Sequence, residues 1–363
     1  MTRVTCCAAL LAGLTACNGA IRPPPAPPAP PIAAPAQVAT RVGQAPINYT
    51  WLHRLMRPDQ APPLSAPAAL SARRAPLRPT DRVVGLVIEG RARAYPLNAL
   101  AYHRVINDRL AGARVAVAHA PLTGATLCAA VPGGLYASGA LYENDDLLAD
   151  TETGDLWSVL RGSSVLGPRL GAQLRRLPCH VMTWAAWRRL RPRTSVAWSH
   201  EPPRGFDYRQ DPWAWYRADD AHLVAPLHFV DLRLPRKQVV LGLYHAGGAR
   251  AFALRTGAGP AVINTKVNGL PVAVLLDGEQ GFAAAYLRGA ATTLTLTPDG
   301  EHLVDERGAR WDRLGLPVGP SRSGVAPLAP APAVRAFFFA WAALHPGTEL
   351  HLDNSNVNTG TRS

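Results

Sequence analysis

Apolar residues alternate with small or polar ones through Val83–Leu97, VVGLVIEGRARAYPL, and the alternation breaks at Glu89-Gly90. A period of two on either side of such a pair predicts a β-hairpin. Ala99 to Val105 reads as a short helix, Asn107-Asp108 and Gly112 as turns, and Val115 to Ala118 as a short buried strand. Thr183 precedes Trp184, Trp187 and Leu190, which share one helical face. Threonine there predicts an N-cap, and Pro192 ends the helix as Pro346 ends a later one. Gly154 and Gly308 mark turns before Trp157 and Trp311, both expected in the core. Short strands punctuated by Gly and Pro dominate, so the expected class is β-rich α+β.

The pattern is written twice. VINDRLAGARVAVAH, Val105–His119, returns as VINTKVNGLPVAVLL, Val262–Leu276, at a spacing of 157. Aligning Val83–Gly124 with Val240–Gly281 gives seventeen identities without a gap, against about four expected from composition. TETGDLW (151–157) resembles DERGARW (305–311), Gly167-Pro168 resembles Gly319-Pro320, and WRRLRPRT (187–194) resembles WAALHPGT (341–348). The expectation is two tandem copies of one β-rich module with short helices. Residues 81–200 form the first, 201–235 an aromatic-rich connector, 236–352 a degenerate second module, and 353–363 a tail.

Shared positions are mostly Gly, Ala, Val and Leu, with Arg93/Arg250 and Asn107/Asn264 as polar exceptions. Elsewhere polarity is lost: Tyr102-His103-Arg104 becomes Gly259-Pro260-Ala261, Asp108 becomes Thr265, and His119 becomes Leu276. Shared apolar and glycine positions are what a fold needs, so any site is expected in the first module or at the seam. Asn107 and Asn264 are expected to satisfy backbone groups in a turn. Trp213, Trp215 and Tyr216 of the connector, with Arg93, are ligand-binding candidates. The alternative is that connector aromatics cover the seam; pockets also favour seams.

The first twenty residues change the setting. Arg3 is a short positive region, and Val4–Leu14 is too short to span a bilayer. Leu14-Thr15-Ala16-Cys17 resembles the bacterial lipobox. That resemblance implies a signal peptide over residues 1–16, a lipidated Cys17 and a membrane as partner. Asn18 rather than aspartate favours the outer membrane, with the body facing the periplasm. Residues 17–80 read as a Pro/Ala-rich linker. Polyproline II geometry, about 3.1 Å per residue, makes its first twenty residues a spacer of roughly 60 Å. Tyr49, Trp51, Leu52 and Leu55 are expected to dock on the first module.

The formal net charge is +13, and only Lys237 and Lys266 are lysines. A GC-rich genome explains an arginine excess; attraction to an envelope protein, an anionic glycan or a lipid headgroup is the functional alternative. Nucleic acid is excluded as a partner by the absence of a basic run or zinc-finger spacing. Cys6 and Cys7 leave with the signal, so Cys128 and Cys179 remain as disulfide candidates or two free thiols. His103 and His119 are the catalytic candidates, and with Cys128 they form the single N/S set open to a metal. No metal or other cofactor is expected. No nucleophile elbow, phosphate loop or zinc-protease helix is present.

Several motifs fall in a recognisable order: Val84-Gly85, Arg93-Ala94-Tyr95-Pro96-Leu97, His103, Asn107-Asp108 and Pro121-Leu122-x-Gly124. They are followed by Thr153-Gly154-x-x-Trp157, Asp211-Pro212-x-x-x-Tyr216 and Asp231-x-Arg233-Leu234-Pro235. This order resembles the bacterial family known as domain of unknown function 3179, which implies no activity. That family typically shows Y-C-P-L-C-G where this chain has His119-Ala120-Pro121-Leu122-Thr123-Gly124. Ala120 and Thr123 supply neither a redox thiol nor a soft metal ligand. The reading that follows is a cell-envelope lipoprotein acting as a non-catalytic binding or scaffold module. A metal- or thiol-dependent enzyme with its site in the first module is the alternative.

Overall fold

The computed structural model describes residues 47–48, 51–319 and 324–351. Cys17, Tyr49, Pro320, the proline-rich tract before residue 47 and the tail lie outside the described residues. The chain joins the body well before residue 81. Three short strands, β1 (Leu52–Arg54), β2 (Leu64–Ser65) and β3 (Ala68–Ser71), pair with later strands. Pro62, Pro63 and Pro67 lie outside these strands, as expected of residues lacking a backbone donor.

The predicted hairpin is β4 (Arg82–Ile88) and β5 (Arg91–Pro96), turning at Glu89-Gly90 with positive φ at both. Helix α1 (Leu97–His103) starts two residues before the expected position. It stops at Arg104, whose φ of 64° leaves helical space. A meander follows, β6 (Val105–Leu110), β7 (Ala113–Ala120) and β8 (Ala125–Ala130). Asn107-Asp108 therefore sits in a strand, not a turn. The Asn107 side chain bridges to the backbone of Leu135 rather than to its own neighbours, and the turn falls at Ala111-Gly112. Next come β9 (Leu135–Tyr142), β10 (Asp145–Asp150), β11 (Leu156–Ser158), β12 (Ser164–Leu166) and β13 (Arg175–Arg176). Then β14 (Cys179–Thr183) leads into α2 (Trp184–Leu190), where Thr183 caps by accepting the Ala186 amide at 3.3 Å. Strand β15 (Ser195–Trp198) ends this half.

The connector holds α3 (Ala214–Ala218). It folds around Lys237, whose ammonium donates to the carbonyls of Tyr216, Asp219 and His222 and lies 3.5 Å from the Tyr216 ring centre. The second half runs β16 (Val239–His245), β17 (Gly248–Ala253), β18 (Pro260–Val267), β19 (Leu270–Asp277) and β20 (Phe282–Leu287). It continues with β21 (Thr295–Leu296), β22 (His302–Val304), β23 (Arg310–Asp312), β24 (Ala333–Phe337), α4 (Phe338–Leu344) and β25 (Glu349–His351). No helix corresponds to α1, because Gly259-Pro260-Ala261 replaces Tyr102-His103-Arg104 and β18 starts at Pro260.

Six small sheets form a propeller-like ring, and strand far outweighs helix, so the protein is β-rich. Sheet β14-β4-β5-β15-β3 packs Val84, Leu86 and Tyr95 against α1 and the meander. Its other face joins Trp184 and Trp187 to Leu275, Phe282 and Trp311 of the second half. Sheet β24-β16-β17-β25 packs Leu241 and Phe252 against β18–β20, and Val240 against Trp341. The far face of the meander meets Leu141, Leu148, Trp157, Phe337 and Phe339, which closes the circuit.

Equivalent contacts recur in both halves. A Cβ on Gly85 would lie 2.2 Å from the Trp187 ring, and one on Gly242 2.2 Å from Trp341. The indole of Trp187 donates to Thr194 Oγ1 at 2.9 Å, and that of Trp341 to Thr348 Oγ1 at 2.9 Å. Asn107 exchanges two hydrogen bonds with Leu135, as Asn264 does with Leu294. Strand β15 lies parallel to β5, as β25 lies parallel to β17.

These contacts predict specific weaknesses. Gly85→Ala forces Trp187 to move and is expected to destabilise by about 1–3 kcal/mol or more. Thr194→Val leaves the buried indole N–H without its acceptor, a loss of about 1–3 kcal/mol. Urea unfolding midpoints check both; an unchanged midpoint in either variant contradicts the assigned packing.

Candidate functional site

The segment that carries the signature, His119 to Gly124, runs from the end of β7 into the turn before β8. Ala120, Leu122 and Thr123 are fully buried. The Thr123 carbonyl accepts the Phe337 amide at 2.6 Å, and a Cβ on Gly124 would meet the Phe337 ring at 2.9 Å. Glycine, with φ of 68°, is the residue that fits so close an approach. The Thr123 hydroxyl lies 3.5 Å from both the Ala120 carbonyl and the Asp145 carboxyl.

His119 is buried, and its Nδ1 donates to the Ala125 carbonyl at 2.9 Å. Desolvation lowers its pKa to about 3, so the ring is neutral at neutral pH. Beside this segment, Asp145 accepts from the Ser158 hydroxyl at 2.5 Å and from the Leu160 amide at 3.1 Å. Burial raises its pKa to about 7. Asp146 accepts from Arg104 Nε at 3.3 Å, and the Arg104 guanidinium stacks over Trp213 at 4.8 Å.

His103 lies elsewhere, against the connector. A carbonyl only accepts, so its Nδ1 donates to Pro62 O at 2.6 Å, and its Nε2 then accepts from the Tyr208 hydroxyl at 2.5 Å. Desolvation lowers its pKa. Cys128 and Cys179 join as a disulfide between β8 and β14, with Cα atoms 6.2 Å apart. Cys128 therefore offers no thiolate to either histidine. Among the described residues no three His, Cys, Asp or Glu side chains converge on a metal position. The N/S set drawn from sequence is not assembled.

The aromatic candidates also serve packing. Tyr216 is fully buried, and its hydroxyl donates to Leu122 O at 3.1 Å. Trp213 donates to Ala101 O at 3.2 Å, and Trp213 and Trp215 both pack on the core under the connector. Trp213 and Trp215 are half-buried, and Tyr216 is fully buried. Arg93 grips both Asp108 oxygens, at 2.8 and 2.7 Å, and Tyr95 donates to the same carboxylate at 2.9 Å.

Sequence reasoning missed a group of arginines. Arg82, Arg217 and Arg335 come from β4, α3 and β24, each more than a hundred residues from the next, so no local spacing announces them. Desolvation, then the charges of Arg82 and Arg217, lower Arg335 to about 9. Desolvation and then Arg82 lower Arg217 to about 10. Arg335 Nη1 donates to Gly124 O at 3.3 Å, which brings the group against the signature segment.

The family model described as protein of unknown function DUF3179 matches residues 58–348. The chain belongs to the DUF3179 family. No curated protein and no solved structure matches it. In this DUF3179 member the motif residues are largely one another's partners. Arg93 and Tyr95 hold Asp108; Tyr216 holds Leu122; Arg233 grips Asp231 and reaches Thr348 O at 2.8 Å.

The buried groups make stability depend on pH with opposing signs. His119, at about 3, and His180 and His345, each lowered to about 4 by desolvation, stay neutral when folded. The unfolded chain protonates them near about 6.5, so their contribution is lost as pH falls from there toward 4. Asp145 at about 7 works the other way: the folded state takes its proton first, which stabilises as pH falls from 7 toward 4. His119→Gln is expected to shrink the acid loss of stability and Asp145→Asn to enlarge it, read from urea midpoints between pH 7 and 4.5.

Proposed function

We propose that this DUF3179 member is a cell-envelope lipoprotein whose body is a duplicated β-rich module used for binding or scaffolding rather than catalysis. The duplication is supported by the matched contacts of Trp187 and Trp341 and of Asn107 and Asn264, in register with the sequence repeat. Envelope placement is supported by the lipobox-like Leu14–Cys17, the proline-rich spacer and a Cys128–Cys179 pair suited to an oxidising compartment. Lipidation of Cys17 would hold the body on the periplasmic side of the outer membrane.

One observation carries the non-catalytic reading: the polar side chains of the signature region are occupied by the fold. His103 and His119 hydrogen-bond to backbone carbonyls, and Ala120 and Thr123 are sealed where the family pattern has cysteines. A general base must reach a substrate proton, and His119 is buried and keeps its neutral form to about pH 3. What remains available to a partner is the arginine-rich surface, consistent with an envelope protein, an anionic glycan or a lipid.

Native mass spectrometry of the full-length chain in detergent, with and without reductant, tests this reading. The expected spectrum shows no bound metal and a gain of two hydrogens on reduction. A stoichiometric metal whose mass disappears in His103→Ala or His119→Ala would contradict it.

A further inference from the structure

The least explained charge lies in a cleft of about 560 Å³ on the first half, between the β4–β5 turn, the β6–β7 turn and the link from α2 to β15. Five arginines line it: Arg91, Arg93, Arg109, Arg191 and Arg193. Two are neutralised. Arg93 at the floor holds Asp108 and donates Nε to Ser195 Oγ at 3.1 Å, and Arg191 reaches Asp312 at 2.7 Å. Arg91, Arg109 and Arg193 are exposed and have no carboxylate within ion-pairing distance among the described residues.

The second half supplies an internal control for whether the fold requires these charges. Its equivalent strands pair in the same registers, Arg109 opposite Arg114 and Lys266 opposite Pro271, Ser195 beside Arg93 and Glu349 beside Arg250. There Arg91 is replaced by Gly248, Arg109 by Lys266 and Arg193 by Gly347. Glu349 stands where Ser195 is and pairs with Arg250 through Nε at 2.7 Å. The same backbone therefore forms without the arginine cluster.

We propose that this cleft is a binding site for an organic ligand carrying two phosphate groups. The inference rests on the binding-module reading and names its ligand chemistry. Guanidinium forks match phosphate oxygens in bidentate geometry. A phosphomonoester carries about −1.5 to −2 at neutral pH, so two of them together offset the charge of the three unpaired arginines. The volume lies in the range of small-ligand pockets, about 300–1,000 Å³. Leu110, Leu190 and Pro192 provide an apolar wall for the carbon skeleton between the phosphates.

The test uses the mature chain from residue 17 with Cys17→Ser, so that no lipid anchor confounds the result. Calorimetry with glucose 1,6-bisphosphate and flotation on vesicles containing phosphatidylinositol 4,5-bisphosphate distinguish a soluble ligand from a lipid headgroup. Binding in either arm that weakens about tenfold or more in Arg109→Gln/Arg193→Gln, and is unchanged in Lys266→Gln, supports the site. Binding in neither arm, or equal binding by the double variant, overturns it and leaves the non-catalytic reading standing. Release of phosphate from the sugar during the titration overturns the non-catalytic reading and leaves the site standing.

Discussion

A helix start exposes backbone N–H groups that no intrahelical carbonyl can satisfy. The ring is built on how those donors are met. Where β14 runs into α2, the amides of Thr183, Trp184 and Ala185 donate to Gln280, Asp81 and Pro79 at 3.0, 2.7 and 2.9 Å. Where β24 runs into α4, the amides of Phe337, Phe338 and Phe339 donate to Thr123, Gln238 and Arg236 at 2.6, 2.8 and 3.0 Å. In each triplet the first acceptor belongs to the other half. Burial makes an unmet donor expensive, so each half completes the other, and the halves form one body.

That constraint accounts for the character of the signature segment. Thr123 lends its carbonyl to the joint, Gly124 admits the Phe337 ring, and Leu122 receives Tyr216 from the connector. Residues so placed have little freedom to approach a substrate. Ala120 and Thr123 are fully buried in this segment and offer no thiol. The positive charge has two settings. The charges of Arg82 and Arg217 act on Arg335, which reaches the Gly124 carbonyl, whereas the cleft arginines lie at the turns of the first half.

Local chemistry was legible in the sequence. The β4–β5 hairpin followed from alternation, the α2 start from a threonine before a helical face, and the buried Trp157 and Trp311 from a glycine turn before an aromatic. The family followed from ordered motifs. Long-range chemistry was not legible. Asn107 looked like a turn former because its partner, Leu135, is 28 residues away. Residues 52–71 read as linker because β1–β3 are short and proline-flanked, and borrow their pairing from strands 42 to 130 residues later. For Trp213 and Tyr216 the sequence left a binding face and a seam cover both open, because an aromatic cluster has the same composition in either role. Arg82, Arg217 and Arg335 act on one another's charge only in the fold, being more than a hundred residues apart in sequence.

The central claim is that the signature segment is a joint holding two interdependent halves. Native-state hydrogen exchange of the Thr183 and Phe337 amides tests it most directly, since they lie at the two ends of the interlock. Both are predicted to exchange only through global unfolding, at matching rates that rise together with denaturant. Exchange of either amide through a local opening insensitive to denaturant would contradict the account.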